Sequence, residues 1–412
     1  MVLAHPIGGT AVESVLAKVD AAFDEMLAKL TRAPAAATPV PATAARAEWI
    51  ELPELDEWDD LQTFFRQQRW TDGLPVVPPT RARVERMLRF LDRPAHQPVG
   101  LVPPLMGAAT VEHVAVNALM AGCAPEHMPV LLAALDAMLD PAFNLYGVQT
   151  TTHCVAPLLL VNGPLAGSLG IHGGNNLFGP GAWSNGVLGR AIRLILQNLG
   201  GGLPGEVDKA TMGHPGKYTF CMAENEAASP WPSLRAERGF ASAVSTVTVI
   251  GAEAPHNIND HESTTAGGLL TMFVGTMAQT GQNNVWYAGE PLLLICPEHA
   301  ATIAAGGFGK DDVKRMIYED ARLPLSRFSR ENIERRMPRK FPLRFKDRPL
   351  DTLVPIAQRW EDIMIVVAGG TGKHSMYLPT FGGTRAVTRA ITDGSGRPYA
   401  PDDLPDTRQG KS

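Results

Sequence analysis

The chain has 412 residues, 45% of them hydrophobic and 19% charged, with a formal net charge of −5. That composition excludes a disordered chain and supports a large buried core, and a chain of this length makes one large α/β domain or two modest ones. There is no excess of basic charge to hold a phosphate backbone by counterion release, so no nucleic-acid partner is expected.

Residues 10–31 place Val12, Val15, Leu16, Val19, Phe23, Met26, Leu27 and Leu30 at helical spacing, which predicts an amphipathic helix. The Ala/Pro stretch over 32–48 lacks bulky apolar groups and reads as a linker. Residues 1–48 are therefore expected to be an appendage that packs on the body or on a partner chain, and a homo-oligomer with this helix at an interface is expected. There is no charged segment followed by an apolar core of signal-peptide type, and no apolar run reaches about 18 residues. A cytoplasmic protein without a membrane partner is expected.

The body is read as residues 49–391, divisible near 240 into 49–240 and 241–391, with a loose polar tail over 392–412. Its rigid opening, "WTDGLPVVPPT", ends at Thr80, which can cap the next helix. Two helices follow between Thr110 and Met138, broken near "AGCAPEHMP". "VAPLLLVNGP" (155–164) is a short, uniformly apolar run of the kind that forms a strand buried on both faces. Similar runs recur in "STVTVIGAE", "EPLLLICPEH" and "DIMIVVAGG". Helix, short loop, buried strand and Gly/Pro/His loop thus appear about four times, alike in pattern and not in residue identity. This predicts an α/β fold with a mainly parallel sheet flanked by helices, whose ligands bind outside the carboxyl ends of the strands.

The polar residues gather in the loops after these runs. His153 and Cys154 precede the first apolar strand, and Cys154 reads as an inert thiol. "GIHGGNNLFGPGAWSNGVLG" puts His172, Asn175 and Asn176 in a Gly-rich loop entering a helix, where free backbone N–H groups and the helix dipole suit an anion. Its spacing is not the dinucleotide fingerprint, so no nucleotide is expected. "GHPGKYTFCMAENEAASPWP" gathers His214, Lys217, Cys221, Glu224 and Glu226. If "YTFCMAE" is extended, Lys217 shares a face with Cys221 and can stabilise its thiolate, while Glu224 and Glu226 share a face at acid/base or metal-ligand spacing. These five residues, with His374, are the candidate catalytic groups.

"EAPHNINDHEST" carries His256, Asn257, Asn259, Asp260, His261 and Glu262 after a buried strand. Imidazole with carboxylate suits Zn, Fe, Mn or Ni, so a divalent metal held by some of His153, His172, His256, His261 and Glu262 is expected; a metal-free His–Asp pair is the other reading. "VVAGGTGKHS" fails the P-loop spacing, which argues against ATP hydrolysis. Gly369, Gly370, Gly372, Lys373 and Ser375, together with Asn175 and Asn176, are read as the substrate-binding set for a carboxylate or phosphate.

The four cysteines lie at least 31 residues apart, with no C-x-x-C pair, so a zinc ribbon or dithiol redox centre is not expected. "DGLPVVPPT", "AVNALMAGCAPEHMPV", "GRAIRLILQNLGG", "GHPGKYTFCMAENEAASPW" and "PEHAATIAAGGFGKDDVKRMIYEDARLPLSR" resemble the bacterial UGSC-like family, whose selenoprotein members carry a U-G-S-C motif. The likeness spans roughly residues 65–380. It implies that the family's redox motif corresponds to "GGTGKHS", where this chain has Thr371, Gly372 and Lys373 in place of a selenocysteine or cysteine centre. The resemblance therefore implies an enzyme in which Lys373, His374 and Ser375 bind or transfer protons.

Three functions follow as expectations. The first is a metal-assisted hydrolase or lyase acting on a small anionic or carbonyl compound. The second is a metal-free thiol enzyme with Cys221 as nucleophile and His214 or a nearby histidine as base. The third is a non-catalytic subunit of a larger complex.

Overall fold

The computed structural model describes residues 11–31, 49–50 and 58–404. The linker expected over 32–48 and the end of the tail, 405–412, lie outside the described residues. The chain divides into two units, residues 1–45 and 46–412. In the first, helix α1 (Val12–Thr31) forms where its apolar period predicts, with Val12, Leu16, Phe23 and Leu27 all exposed. Among the described residues no single helix is long and apolar enough to cross a membrane.

The second unit opens with α2 (Trp58–Gln67) and α3 (Arg81–Leu88), the latter starting directly after Thr80 although the Thr80 hydroxyl makes no capping bond. An antiparallel pair, β1 (Pro98–Val102) and β2 (Gly107–Thr110), leads into α4 (Val111–Ala121). Thr110 and His113 exchange backbone and side-chain hydrogen bonds at its start, and left-handed Gly122 ends it. Helices α5 (Met128–Leu139) and α6 (Leu145–Thr150) follow. The chain then runs through β3 (Ala156–Asn162), α7 (Pro164–Ser168), α8 (Trp183–Asn198), β4 (Cys221–Ala223), α9 (Leu234–Glu237), β5 (Thr246–Ala252) and β6 (His256–Asn259). A second passage repeats the order: α10 (Ala266–Met277), α11 (Asn283–Tyr287), β7 (Leu292–Ile295), α12 (Pro297–Ala305), α13 (Lys310–Asp320), the small pair β8 (Arg322–Pro324) and β9 (Leu353–Pro355), then β10 (Met364–Val367), β11 (His374–Leu378) and β12 (Val387–Ala390).

Two four-stranded sheets result, β12-β5-β3-β4 and β10-β7-β11-β6. Their pairing is the same: β3 runs parallel to β4 and antiparallel to β5, as β7 runs parallel to β10 and antiparallel to β11. The fourth strands are exchanged. Strand β6 follows β5 but pairs with β11, and β12 follows β11 but pairs with β5. At the crossing, Ala252 bridges Thr380, the Glu253 N–H donates to Pro379 O at 2.8 Å, and the Phe381 N–H donates to Gly251 O at 2.9 Å. Each sheet thus contains a strand from the other passage of chain.

Side-chain alternation explains the layers. Leu159, Val161, Val247 and Val249 pack with α4, α5 and α8, while Leu293, Ile295, Ile365 and Val367 pack with α10, α12 and α13. The intervening residues, Leu158, Leu160, Ile250, Leu292, Leu294 and Val366, meet one another between the sheets. The body is a helix–sheet–sheet–helix sandwich. This corrects the expected mainly parallel sheet, because the sheets are mixed, with one parallel pair each. The strands are apolar throughout because helices cover one face and the second sheet covers the other. Burial on both faces does not require parallel pairing.

Candidate functional site

The carboxyl ends of β4 and β10 open on the same edge of the sandwich. The Asn225 N–H donates to Val367 O at 2.9 Å, and Asn225 Nδ2 to Gly369 O at 3.3 Å. The loop after α7 joins them, with the Ala223 N–H bonded to His172 O and the Gly369 N–H to Gly173 O. A Cβ on Gly370 would stand 1.2 Å from Asn175 Oδ1, so this close approach requires glycine. The two Gly-rich loops singled out in the sequence, one from each passage, are therefore in contact. A cleft of about 1030 Å³ beside them is lined by Glu126, His172, Asn175, Asn176, Trp183 and Ser184.

At the start of β11, His374 meets His261 of the turn after β6, their Nε2 atoms 3.3 Å apart and their rings nearly perpendicular at 5.0 Å between centroids. His374 Nδ1 lies 3.0 Å from Asn257 Oδ1. With the amide oxygen toward the ring, Nδ1 carries the proton and Nε2 is bare. Without a cation, His261 Nε2–H donates to that bare nitrogen. With one, both nitrogens are set for it: two ligands at about 2.0–2.1 Å from a tetrahedral zinc lie about 3.3–3.4 Å apart. Among the described residues no third His, Cys, Asp or Glu side chain completes a set of three here, and both histidines are exposed.

The scaffold holds this pair from behind. The buried Ser375 hydroxyl accepts the Cys296 N–H at 3.2 Å and lies 2.8 Å from His299 Nδ1, and His299 Nε2 lies 3.0 Å from Asp260 O. Asp260 Oδ1 accepts the N–H groups of Glu262 and Ser263, so the turn bearing His261 is tied at both ends. Lys373, in the left-handed region at φ 56°, donates from Nζ to His261 O at 2.8 Å. The N–H groups of Gly372 and Lys373, expected to cradle a substrate anion, instead donate to Glu298 Oε2 at 2.5 and 2.9 Å. Those two bonds hold the Glu298 carboxyl below its ordinary pKa.

The other sequence candidates go elsewhere. Glu224 and Glu226 do converge, both accepting from Asn162 Nδ2, at 2.7 and 3.0 Å. They belong to a buried ionic network, however: Arg235 pairs with Glu226 at 2.8 Å, Lys310 lies 3.8 Å from Glu224, and Glu237 holds both Lys310 and Lys314. Burial pushes the Glu224 carboxyl up, and Lys310 opposes it. Cys221 is enclosed in the core, its thiol pushed up to about 12 by burial, and Lys217 pairs with Asp208 at 2.7 Å instead. The expected shared face fails because β4 begins only at Cys221, while Lys217 ends a short turn. His172 Nε2 lies 2.6 Å from Asn175 O, Asn176 Nδ2 donates to Pro180 O, His256 is exposed on β6, and Glu262 is exposed in its turn. His153 lies at the opposite edge, 2.8 Å from Glu253. The five expected metal ligands thus do not form one set.

Glu298, His299 and Glu253 were not among the sequence candidates, and Asn257 was noted only as one of the polar residues of its loop. Glu298 and His299 sit in "CPEH" directly after a buried strand, a signal that reads equally as a helix start. Comparison with protein-family models, curated proteins and solved structures finds no match.

Proposed function

We propose that the protein is a metal-assisted enzyme, a hydrolase or lyase acting on a small anionic or carbonyl-containing metabolite, with its centre at His261 and His374. The single observation that carries this reading is the pair of imidazole nitrogens 3.3 Å apart, with His374 Nδ1 tied to Asn257. A hydrogen-bonded partner on the far ring nitrogen is what metal-ligating histidines use to fix tautomer and orientation. A divalent ion bound there would polarise a substrate oxygen or lower the pKa of a water. Lys373 brings a positive charge beside His261 to face the substrate's negative end. Asn175, which packs against Gly370, and His172 line a cleft whose hydrogen-bonding groups are available to the rest of the substrate. The exposed apolar side of α1 supports assembly into a homo-oligomer, and four unpaired cysteines support a cytoplasmic setting.

A thiol mechanism at Cys221 is disfavoured, because an enclosed thiol with a raised pKa supplies little thiolate. Elemental analysis of the purified protein, followed by titration of the stripped protein with zinc or cobalt, tests the reading. Bound metal that is lost in His374→Ala supports it. A metal-free protein that takes up no cation and turns over unchanged rejects it. Cys221→Ala is expected to keep turnover within about twofold, whereas complete loss in a folded variant would restore the thiol mechanism.

A further inference from the structure

The opposite edge of the sandwich carries a second group. His153 and Cys154 stand just before β3, and Glu253 stands just after β5, where the two sheets exchange strands. One ligand atom from each of the three lies within 4.8 Å of the others. His153 Nε2 is 2.8 Å from Glu253 Oε1, and its Nδ1 accepts the Val155 N–H at 3.2 Å. Phe381 stacks on the His153 ring at 5.2 Å between centroids. The buried His214 Nε2 faces the backbone of Cys154 and Ala252.

Imidazole, thiol and carboxylate in one place are three different hydrogen-bonding chemistries but one ligand chemistry. A thiolate with an imidazole selects a borderline-soft divalent ion such as zinc over calcium or magnesium. We propose that His153, Cys154 and Glu253 form a second cation site, specific for a thiophilic divalent ion, that pins the strand-exchange crossing. The ion takes the place of the proton between Nε2 and Glu253. The ring proton moves from Nε2 to Nδ1, and the bond from the Val155 N–H is given up. The thiol loses its proton to solvent, so binding releases one proton. Because the three ligands come from the chain before β3 and the chain after β5, occupancy stabilises the folded state.

The site is separate from the His261–His374 centre, and its test reads the two independently. Stripped full-length protein is titrated with cobalt, following the stoichiometry and the near-ultraviolet thiolate-to-cobalt charge-transfer band. The wild type is expected to take two ions and show the band. Cys154→Ser is expected to take one ion and lose the band, Glu253→Gln to bind at least tenfold more weakly at this site, and His374→Ala to keep the band with one ion. Cobalt or zinc is also expected to protect Cys154 from alkylation in the wild type, which needs no variant. Bound cobalt without a charge-transfer band, or full alkylation of Cys154 in metal-saturated protein, overturns the proposal. Loss of the ion in His374→Ala with the band retained bears only on the first centre.

Discussion

The two passages of chain build the same sheet and end it differently. Leu159 of β3 is opposite Cys221 and Val249, and Leu293 of β7 is opposite Ile365 and Tyr377. By that register, Ala223-Glu224-Asn225-Glu226 in the first passage corresponds to Val367-Ala368-Gly369-Gly370 in the second. The first end carries carboxylates, and they are committed to Asn162, Arg235 and Lys310, the last of these on α13 of the other passage. Past Val367 the second end carries no side chain larger than a methyl group, so the Asn175 loop can close on it. One scaffold thus uses a loop as an internal tie and the other as an open platform. Polar residue types alone do not distinguish the two.

The comparison can be broken most decisively on the platform side. His374→Ala removes one of the two proposed cation ligands, and turnover is expected to fall by about a hundredfold or more, with the melting temperature little changed. An equal loss of stability would mean that His374 is part of the tie rather than the platform. On the tie side, Glu224→Ala leaves Lys310 its 2.6 Å pair with Glu237 but strips the buried Asn162 Nδ2 and Leu234 N–H of their shared acceptor, and is expected to cost about 1–3 kcal/mol in denaturant unfolding. A cost below about 1 kcal/mol would show that the network does not hold the halves together.

The first passage also carries an acid sensitivity. Buried His127 takes the Ala124 N–H on Nδ1 and lies 3.1 Å from Ser184 Oγ, and burial lowers its pKa from 6.5 to about 4. The folded state then binds this proton less readily than the unfolded one. Its contribution is present above pH 6.5 and is lost as pH falls toward 4, by about 3 kcal/mol in all. His127→Asn is expected to flatten the stability profile over that window, and an unchanged slope would assign the acid loss to other groups. The smallest expected effect sharpens the platform: Asn257→Ala frees His374 Nδ1 and should weaken cation binding about 10- to 100-fold without removing it. Titration calorimetry reads this directly, and unchanged affinity would detach Asn257 from the centre.

Much of the local structure was legible. The apolar runs at 156–162, 246–252, 292–295 and 364–367 are strands, and the helix pair around "AGCAPEHMP" breaks where expected. Asn175, Gly369, Gly370, Lys373, His261 and His374 were legible as site candidates, since each falls in a polar, Gly- or His-bearing stretch downstream of an apolar run. His172, His256 and Glu262 looked equivalent by that criterion, yet no cation pair includes them. Glu224 and Glu226 looked catalytic because a buried ion network and an acid/base pair use the same residue types. Glu298 and His299 were missed because "PEH" at a helix start is ordinary.

Periodicity and residue chemistry, which act within a few residues, determined the helices, the buried strands and the loops where polar groups collect. Strand partners, the exchange of β6 and β12, and which histidines face each other were decided by tertiary structure alone. A uniformly apolar strand satisfies its burial equally well beside a parallel or an antiparallel neighbour, and the choice depends on contacts more than a hundred residues apart, such as Asn257 with His374 and His153 with Phe381.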